Sequence, residues 1–136
     1  MKKIDDVFKN DKRKKSSILN KKIKVNKNNL TPRKIYSDDY EIIRSFAYHN
    51  RMTLLETTEY LYEVIKDENF QLEEEKIENH ISEIDKENLK SIRISKHLNK
   101  LLEVIGKENN LPPRYSRYIF SYLVHGYLGK EVINYD

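Results

Sequence analysis

Histidine and tyrosine are the residues of this 136-residue sequence best suited to metal binding or covalent catalysis. The four histidines show no His-x3-His or His-Glu spacing, so they predict no metal site; they are His49, His80, His97 and His125. No cysteine is present to act as a thiolate ligand or a nucleophile. The ten tyrosines could include a recombinase or relaxase nucleophile, but a chain this short leaves little room for the Arg and His groups that such a tyrosine requires. We therefore expect no enzymatic activity and no bound metal or cofactor.

The charged side chains are distributed unevenly along the chain, whose formal net charge is +4. Residues 1–34 carry 13 basic and 3 acidic side chains, whereas residues 67–90 carry 3 basic and 9 acidic ones. Residues 1–30 have few apolar side chains, so we predict a disordered basic arm, because such a segment buries too little surface to offset its ordering entropy. The arm could neutralise nucleic-acid phosphates or serve only as a solubilising tail, and the sequence leaves both open.

The hydropathy of the chain does not predict a membrane protein. No apolar run approaches the ~20 residues that a membrane-spanning helix needs. Met1 is followed by two lysines but not by the apolar stretch of a signal peptide. We therefore expect a cytoplasmic protein that does not act at a membrane.

Residues 91–130 have the pattern of a short strand followed by two amphipathic helices. Polar and apolar side chains alternate from Ser91 to Ser95, as in a half-buried strand, and Ser95 is a favourable helix N-cap. The segment from Gly106 to Asn110 is expected to form the C-terminus of the first helix and a loop. Two prolines then open the last helix, where a missing N–H costs least.

Residues 31–66 repeat this pattern. Ser37 is the corresponding N-cap, and Thr53 and Glu56 have the spacing of a capping box that begins a second helix. The first helices match at a shift of 58 residues and the second helices at a shift of 59, which predicts one extra residue in the later loop. Residues 67–90, between the two segments, are predicted to form an acidic linker with a short exposed helix.

A short strand, a helix, a tight turn and a second helix, as in residues 91–128 and more loosely in residues 34–66, resemble the ribbon-helix-helix superfamily of DNA-binding proteins. The resemblance implies a mainly α fold with a short β-ribbon, made of two ribbon-helix-helix-like modules in tandem. In that family two antiparallel strands enter the major groove, outward side chains read bases, and the N-terminus of each second helix binds a phosphate. The modules could pair within one chain as a pseudo-dimer or across two chains as a homodimer.

This resemblance implies a set of DNA-contacting residues. The base-reading side chains are those expected to face outward on the two strands: Ser91, Arg93, Ser95, Lys34 and Tyr36. Arg93 is the foremost of these, since a guanidinium can make two hydrogen bonds to one guanine. Phosphate contacts are expected from residues at or near helix N-termini: Thr53, Leu54, Lys96, Arg114 and Arg117. The two prolines at positions 112 and 113 depart from the family pattern because they lack the N–H of such a contact, which Arg114 could supply instead.

The orientation of the first strand is open from the sequence. If Ile35 faces the core, Lys34 and Tyr36 face outward. If Ser37 is aligned with Ser95, Tyr36 faces the core and Ile35 faces outward, because a slip of one residue reverses every side chain.

These patterns favour a sequence-specific double-stranded DNA-binding accessory or regulatory protein, without a small-molecule substrate. Residues 91–130 also resemble the small basic proteins that assist excision or transfer of conjugative and integrative elements. We therefore expect a role in recombination, transfer or transcription control of a mobile element such as a plasmid. The alternative is a helical protein-interaction module, such as an antitoxin or a relaxosome scaffold.

Overall fold

The structure, a computed structural model, describes residues 29–133, so almost all of the predicted basic arm (residues 1–30) lies outside the described residues. Strand β1 (Leu30–Tyr36) leads directly into helix α1 (Ser37–His49), and helix α2 (Leu54–Asp67) follows after a short turn. Helix α3 (Glu74–Glu83) then connects these elements to the second strand. We call residues 30–67 the first half of the structure.

The second half, residues 89–133, contains the same kinds of element in the same order. Its elements are strand β2 (Leu89–Ser95), helix α4 (Lys96–Glu108), a turn of 3-10 helix (Pro113–Tyr115), and helix α5 (Ser116–Leu123), which continues through a π-helical segment (Val124–Gly129) into α6 (Lys130–Ile133).

The two strands pair with each other within the chain as an antiparallel two-stranded sheet, which we call the ribbon. Leu30 lies opposite Ser95 at one end of the ribbon, and Tyr36 lies opposite Leu89 at the other. The expected fold class is therefore confirmed at the level of a mainly helical chain with a short β-ribbon.

The two halves repeat at a single shift of 59 residues, because β1 and β2 begin at Leu30 and Leu89 and α1 and α4 begin at Ser37 and Lys96. The predicted shift of 58 for the first helices was wrong, and so was the extra residue in the later loop. Ser37 is the first residue of α1 and not its N-cap, because the strand continues through Tyr36. Residues 59 apart are called equivalent below.

The helix termini use the caps that the sequence predicted at two positions. The Ser95 hydroxyl accepts the Leu98 N–H at 3.2 Å. Thr53 and Glu56 form both hydrogen bonds of a capping box, at 2.8 and 3.0 Å. The helix end and loop predicted over Gly106 to Asn110 are confirmed: α4 ends at Glu108, and Asn110 adopts the left-handed φ of 56° in the turn that follows.

A single hydrophobic core lies beneath the ribbon and receives side chains from both halves. Ile35, Ile92 and Ile94 point into it from the strands, with at most 6% of their surface exposed. Ile35 therefore faces the core, as in the first of the two orientations considered for β1. The largest fully buried side chains from the helices include Phe46, Phe120, Leu61, Leu98, Leu102 and Leu123.

Helix α3 forms within the acidic segment, as predicted, but it is not simply exposed. Its Ile77 is 1% exposed and belongs to the shared core. Burial of this side chain fixes α3 against the surface of the second half, where it packs on α5. Within residues 29–133 no helix is both long enough and apolar enough to cross a membrane.

Candidate nucleic-acid interface

The ribbon has one face toward the core and one face toward solvent. Successive side chains of a strand alternate between faces, and directly opposite residues of an antiparallel pair share a face. Arg93 lies opposite Pro32, and Ser91 lies opposite Lys34. All four residues are exposed, so the solvent face of the ribbon carries two cationic side chains and one hydroxyl.

Two of the residues expected on this face are not accessible there. Tyr36 is 4% exposed because its ring stacks on that of Tyr118, with centroids 6.1 Å apart, and the Arg117 guanidinium lies over it at 5.9 Å. Ser95 is also 4% exposed, and its hydroxyl is the helix cap of α4. We therefore withdraw both side chains as base-reading candidates and retain Arg93, Ser91 and Lys34.

The N-terminus of α2 lies beside the ribbon at the Arg93 position. A hollow of about 380 Å³ separates them, lined from one side by Leu54 and Leu55 and from the other by Pro32, Ile92 and Arg93. The capping box occupies the backbone N–H groups of Thr53 and Glu56. Helix geometry leaves the amides of Leu54 and Leu55 without an acceptor inside the helix, so the positive end of the helix dipole offers two free donors.

The opposite side of the ribbon has a different chemistry. Pro112 and Pro113 hold the positions equivalent to Thr53 and Leu54 and provide no N–H. The Tyr115 N–H bonds to the Pro112 carbonyl at 2.9 Å, which leaves the backbone N–H of Arg114 for a ligand.

Arginine side chains lie near these prolines. The exposed Arg114 guanidinium lies 5.6 Å from the Tyr115 ring. Arg117 Nε donates to the Lys34 carbonyl at 2.9 Å, so this side chain is tied to the ribbon backbone. Lys96, the remaining expected phosphate contact, is exposed at the start of α4.

Arg33 is a charged ribbon residue that the sequence did not single out. It lies opposite Ile92 and points toward the core side of the ribbon. Its Nη1 donates to Asn99 Oδ1, and its Nη2 donates to Ser116 Oγ at 2.7 Å. Burial lowers the pKa of Arg33, the nearby charge of Arg117 lowers it further, and Glu103 opposes both. From the sequence, the inward position of Arg33 could have been predicted only if the orientation of β1 had been known.

A buried polar cluster lies beneath the ribbon, where α1 packs against α5 and the segment that continues it. Asp39 is fully buried in the first turn of α1, and its Oδ1 accepts from Ser121 Oγ and from His125 Nε2, each at 2.9 Å. His80 Nε2 lies 2.8 Å from Ser121 Oγ, and the two histidine rings meet edge to face at 4.7 Å. Burial lowers the pKa of His80, and the His125 ring adds to the effect, against Asp39 and Glu83.

Within the described residues no group of three or more His, Cys, Asp or Glu side chains is placed to hold a metal ion. The cluster connects α1 to α5 through the bond from Ser121 to the Asp39 carboxylate, and α3 to α5 through the bond between His80 and the Ser121 hydroxyl.

Comparison with known proteins gives no relative for this chain: no protein-family model, no curated protein and no solved structure matches it.

Proposed function

We propose that the chain is a non-enzymatic protein that binds double-stranded DNA sequence-specifically by inserting the ribbon into the major groove. The observation that carries the proposal is the solvent face of the ribbon, on which Arg93, Ser91 and Lys34 are exposed between two helix N-termini. Arg93 is the principal base-reading residue, and Lys34 acts from the neighbouring strand.

The dimensions and chemistry of the ribbon support this proposal. The major groove, about 12 Å wide, admits a two-stranded β-ribbon. A guanidinium on such a ribbon can donate two hydrogen bonds to the O6 and N7 acceptors of guanine. Arg93 has this freedom because it is exposed and has no ion-pair partner among residues 29–133.

The flanks of the ribbon support contacts to the DNA backbone on both sides. The free amides of Leu54 and Leu55 can hold a phosphate at the positive end of the α2 dipole. On the other side the cations of Arg114 and Arg117 replace the amides that the prolines lack. Backbone contacts of this kind set the register of the ribbon in the groove, while the ribbon side chains supply the sequence preference.

Within this proposal the protein is an accessory or regulatory DNA-binding protein of the cytoplasm. The arrangement of the two halves resembles a ribbon-helix-helix pair formed within one chain. The basis for assigning it to excision, transfer or transcription control of a mobile element is the sequence resemblance of residues 91–130 to accessory proteins of such elements.

The test begins with duplexes enriched from a random DNA library by repeated binding to the full chain. Fluorescence anisotropy then measures affinity at about 50 and 200 mM salt, because a protein that neutralises phosphates loses affinity steeply between these concentrations. We expect Arg93→Ala to weaken binding to the enriched duplex by ~1–3 kcal/mol while its binding to random duplex changes little.

The matched control is Arg44→Ala, which removes an exposed arginine of α1 whose Nε donates to Glu41 at 2.8 Å. This variant should bind the enriched duplex like the unmodified chain. If Arg93→Ala also leaves affinity and sequence preference unchanged, Arg93 is not a base reader. If the chain shows no salt-sensitive binding to any duplex at micromolar concentration, the DNA-binding proposal fails and a helical protein-interaction module is favoured.

A further inference from the structure

A second concavity lies behind the ribbon, between β1, α4 and the start of α5, and the DNA-binding proposal does not use it. This cavity has a volume of about 570 Å³. Its wall is largely apolar and is formed by Leu102, Gly106, Leu111, Pro112, Pro113 and Ile119. The polar groups that reach it from the interior are those of Arg33 and Ser116.

Arg33 brings an unneutralised positive charge to this cavity. Its two Nη atoms donate only to neutral oxygens, those of Asn99 and Ser116, and its buried Nε has no hydrogen-bond partner among the described residues. No carboxylate of residues 29–133 forms an ion pair with it. A half-buried cation normally has an ionic partner, because burial without one is costly.

The rim of the cavity does not supply that partner. Glu103 lies there and raises the pKa of Arg33, but it forms no ion pair with Arg33, and its Oε2 lies 3.9 Å from Lys100 Nζ. The Ser116 hydroxyl accepts from Arg33 through its oxygen, so its own proton remains available to a further acceptor. An anion in the cavity would therefore meet both a cation and a hydroxyl donor on the same wall.

The equivalent positions of the repeat do not combine such a space with a cation. Ile92, Ala47 and Tyr60 hold the positions equivalent to Arg33, Gly106 and Ile119. The Tyr60 side chain is 2% exposed and stacks on Phe46, with ring centroids 5.2 Å apart. At the two helix positions the first half thus has the larger side chain, and at the strand position Ile92 replaces the cation of Arg33.

We infer that the cavity binds a small organic carboxylate with an apolar body, such as a medium-chain or aromatic acid. The carboxylate accepts from Arg33 Nη2 and from the Ser116 hydroxyl, which supplies the missing counter-charge. The apolar body lies against Leu102, Leu111 and Ile119. A volume of this size is within the range of small-molecule pockets, about 300–1,000 Å³. This binding does not depend on DNA recognition.

The test uses octanoate as the probe, with 1-octanol and inorganic phosphate as comparisons, added to the isotope-labelled full chain and followed by NMR. The Arg33 side-chain N–H and the Gly106 backbone N–H report on the two walls of the cavity. We expect octanoate to give saturable shifts at both groups, with octanol and phosphate each binding about tenfold more weakly or worse.

Two variants separate the charge from the shape of the cavity. Arg33→Gln should weaken octanoate by about tenfold or more and abolish its advantage over octanol, whereas Arg44→Gln, at an exposed arginine of α1, should change neither. Gly106→Leu, which retains Arg33 but fills the cavity, should abolish saturable binding. Gly126→Leu, at a glycine whose added Cβ would meet no atom within 4 Å, is its matched control.

Three results would overturn the inference: no saturable shifts with octanoate, equal affinity for octanol, or unchanged binding in Gly106→Leu. Circular dichroism of each variant establishes that it is folded, and if Arg33→Gln does not fold, Gly106→Leu alone decides the outcome. Loss of DNA binding by Arg93→Ala would leave these results unaffected, so the two proposals fail independently.

Discussion

The two halves of the molecule share their backbone plan but differ in the polar groups that they bury. At both ends of the ribbon, the backbone N–H of the first helical residue donates to the carbonyl of the residue that precedes the other strand. The Ser37 N–H donates to the Asn88 carbonyl at 2.8 Å, and the Lys96 N–H donates to the Asn29 carbonyl at 3.0 Å. These bonds are equivalent under the 59-residue shift. Backbone hydrogen bonds are the same whatever the side chains are, so the repeat is preserved there.

The side chains beneath the ribbon do not repeat in the same way. Leu98 is fully buried, and the equivalent residue in the first half is the buried Asp39. Asp39 is bound by Ser121 and His125, whose equivalents in the first half are Tyr62 and Lys66. The buried side chains of each half are therefore complementary to those of the other half, and they would not be complementary to a second copy of the same half. This difference favours pairing of the two halves within one chain.

The largest effect is expected when the first-half carboxylate is introduced into the second half. Leu98→Asp buries a carboxylate in the hydrophobic core, and the residues equivalent to the Asp39 donors are Tyr62 and Lys66, neither of which is buried. We expect a loss of ~3–5 kcal/mol in the free energy of unfolding, measured by urea denaturation at pH 7. The reciprocal Asp39→Leu should cost only ~1–3 kcal/mol, since it leaves Ser121 and His125 without an acceptor but buries no charge. Equal losses would mean that the two positions are interchangeable.

A smaller effect of the opposite sign is expected where the second half has glycine and the first has alanine. An added Cβ at Gly106 would lie 3.6 Å from Ile119 Cδ1, which is an ordinary contact, and Gly106 lies within α4. Gly106→Ala should therefore raise the free energy of unfolding by ~0.5–1 kcal/mol, because alanine loses less backbone entropy in a helix. Ala47→Gly should lower it by at least as much. Destabilisation by Gly106→Ala would show that the cavity wall cannot accommodate a methyl group.

The smallest effect concerns pH and depends on helix α3, which lies between the two halves and is not repeated. Burial lowers the pKa of His80 below its ordinary value of 6.5, so the unfolded chain takes up the proton first as the pH falls. The stability that His80 contributes is complete above pH 6.5 and declines below it. We expect the melting temperature of the unmodified chain to fall more steeply than that of His80→Gln between about pH 7 and pH 5. Asp39, His125 and Glu83, which face His80, are present in both proteins, so parallel curves would exclude His80 as the source.

The sequence predicted the elements of this fold more fully than their alignment. Periodic apolar residues and the Thr53 and Ser95 caps identified the helices, because these signals are local. The shift of 58 came from taking Ser37 as the N-cap of α1. Local sequence does not distinguish a serine at the N-cap from a serine at the first helical position, which Ser37 occupies. Only the pairing of β1 with β2 fixes the shift at 59 and brings Ile35 to the core.

The candidate interface was predictable in part for the same reason. Alternation in β2 placed Arg93 and Ser91 on the exposed face, where the structure has them. The burial of Tyr36 depends on the Tyr118 ring from another element, and the position of Arg33 depends on Asn99 and Ser116. Such contacts join residues more than 60 positions apart, and no local pattern encodes them.

Strand β1 begins at Leu30 and its partner β2 begins 59 residues later, at Leu89. This separation has a consequence for synthesis of the chain. At about 5–20 residues per second, a ribosome needs roughly 3–12 s to produce β2 after β1. During that interval β1 is a strand without its partner, and strands of this kind can pair with those of neighbouring nascent chains. Pro32 removes one backbone donor from β1, and Lys34 adds a charge to its exposed face. The same two residues that lie on the proposed DNA-facing surface therefore also disfavour pairing of β1 with a strand of another chain.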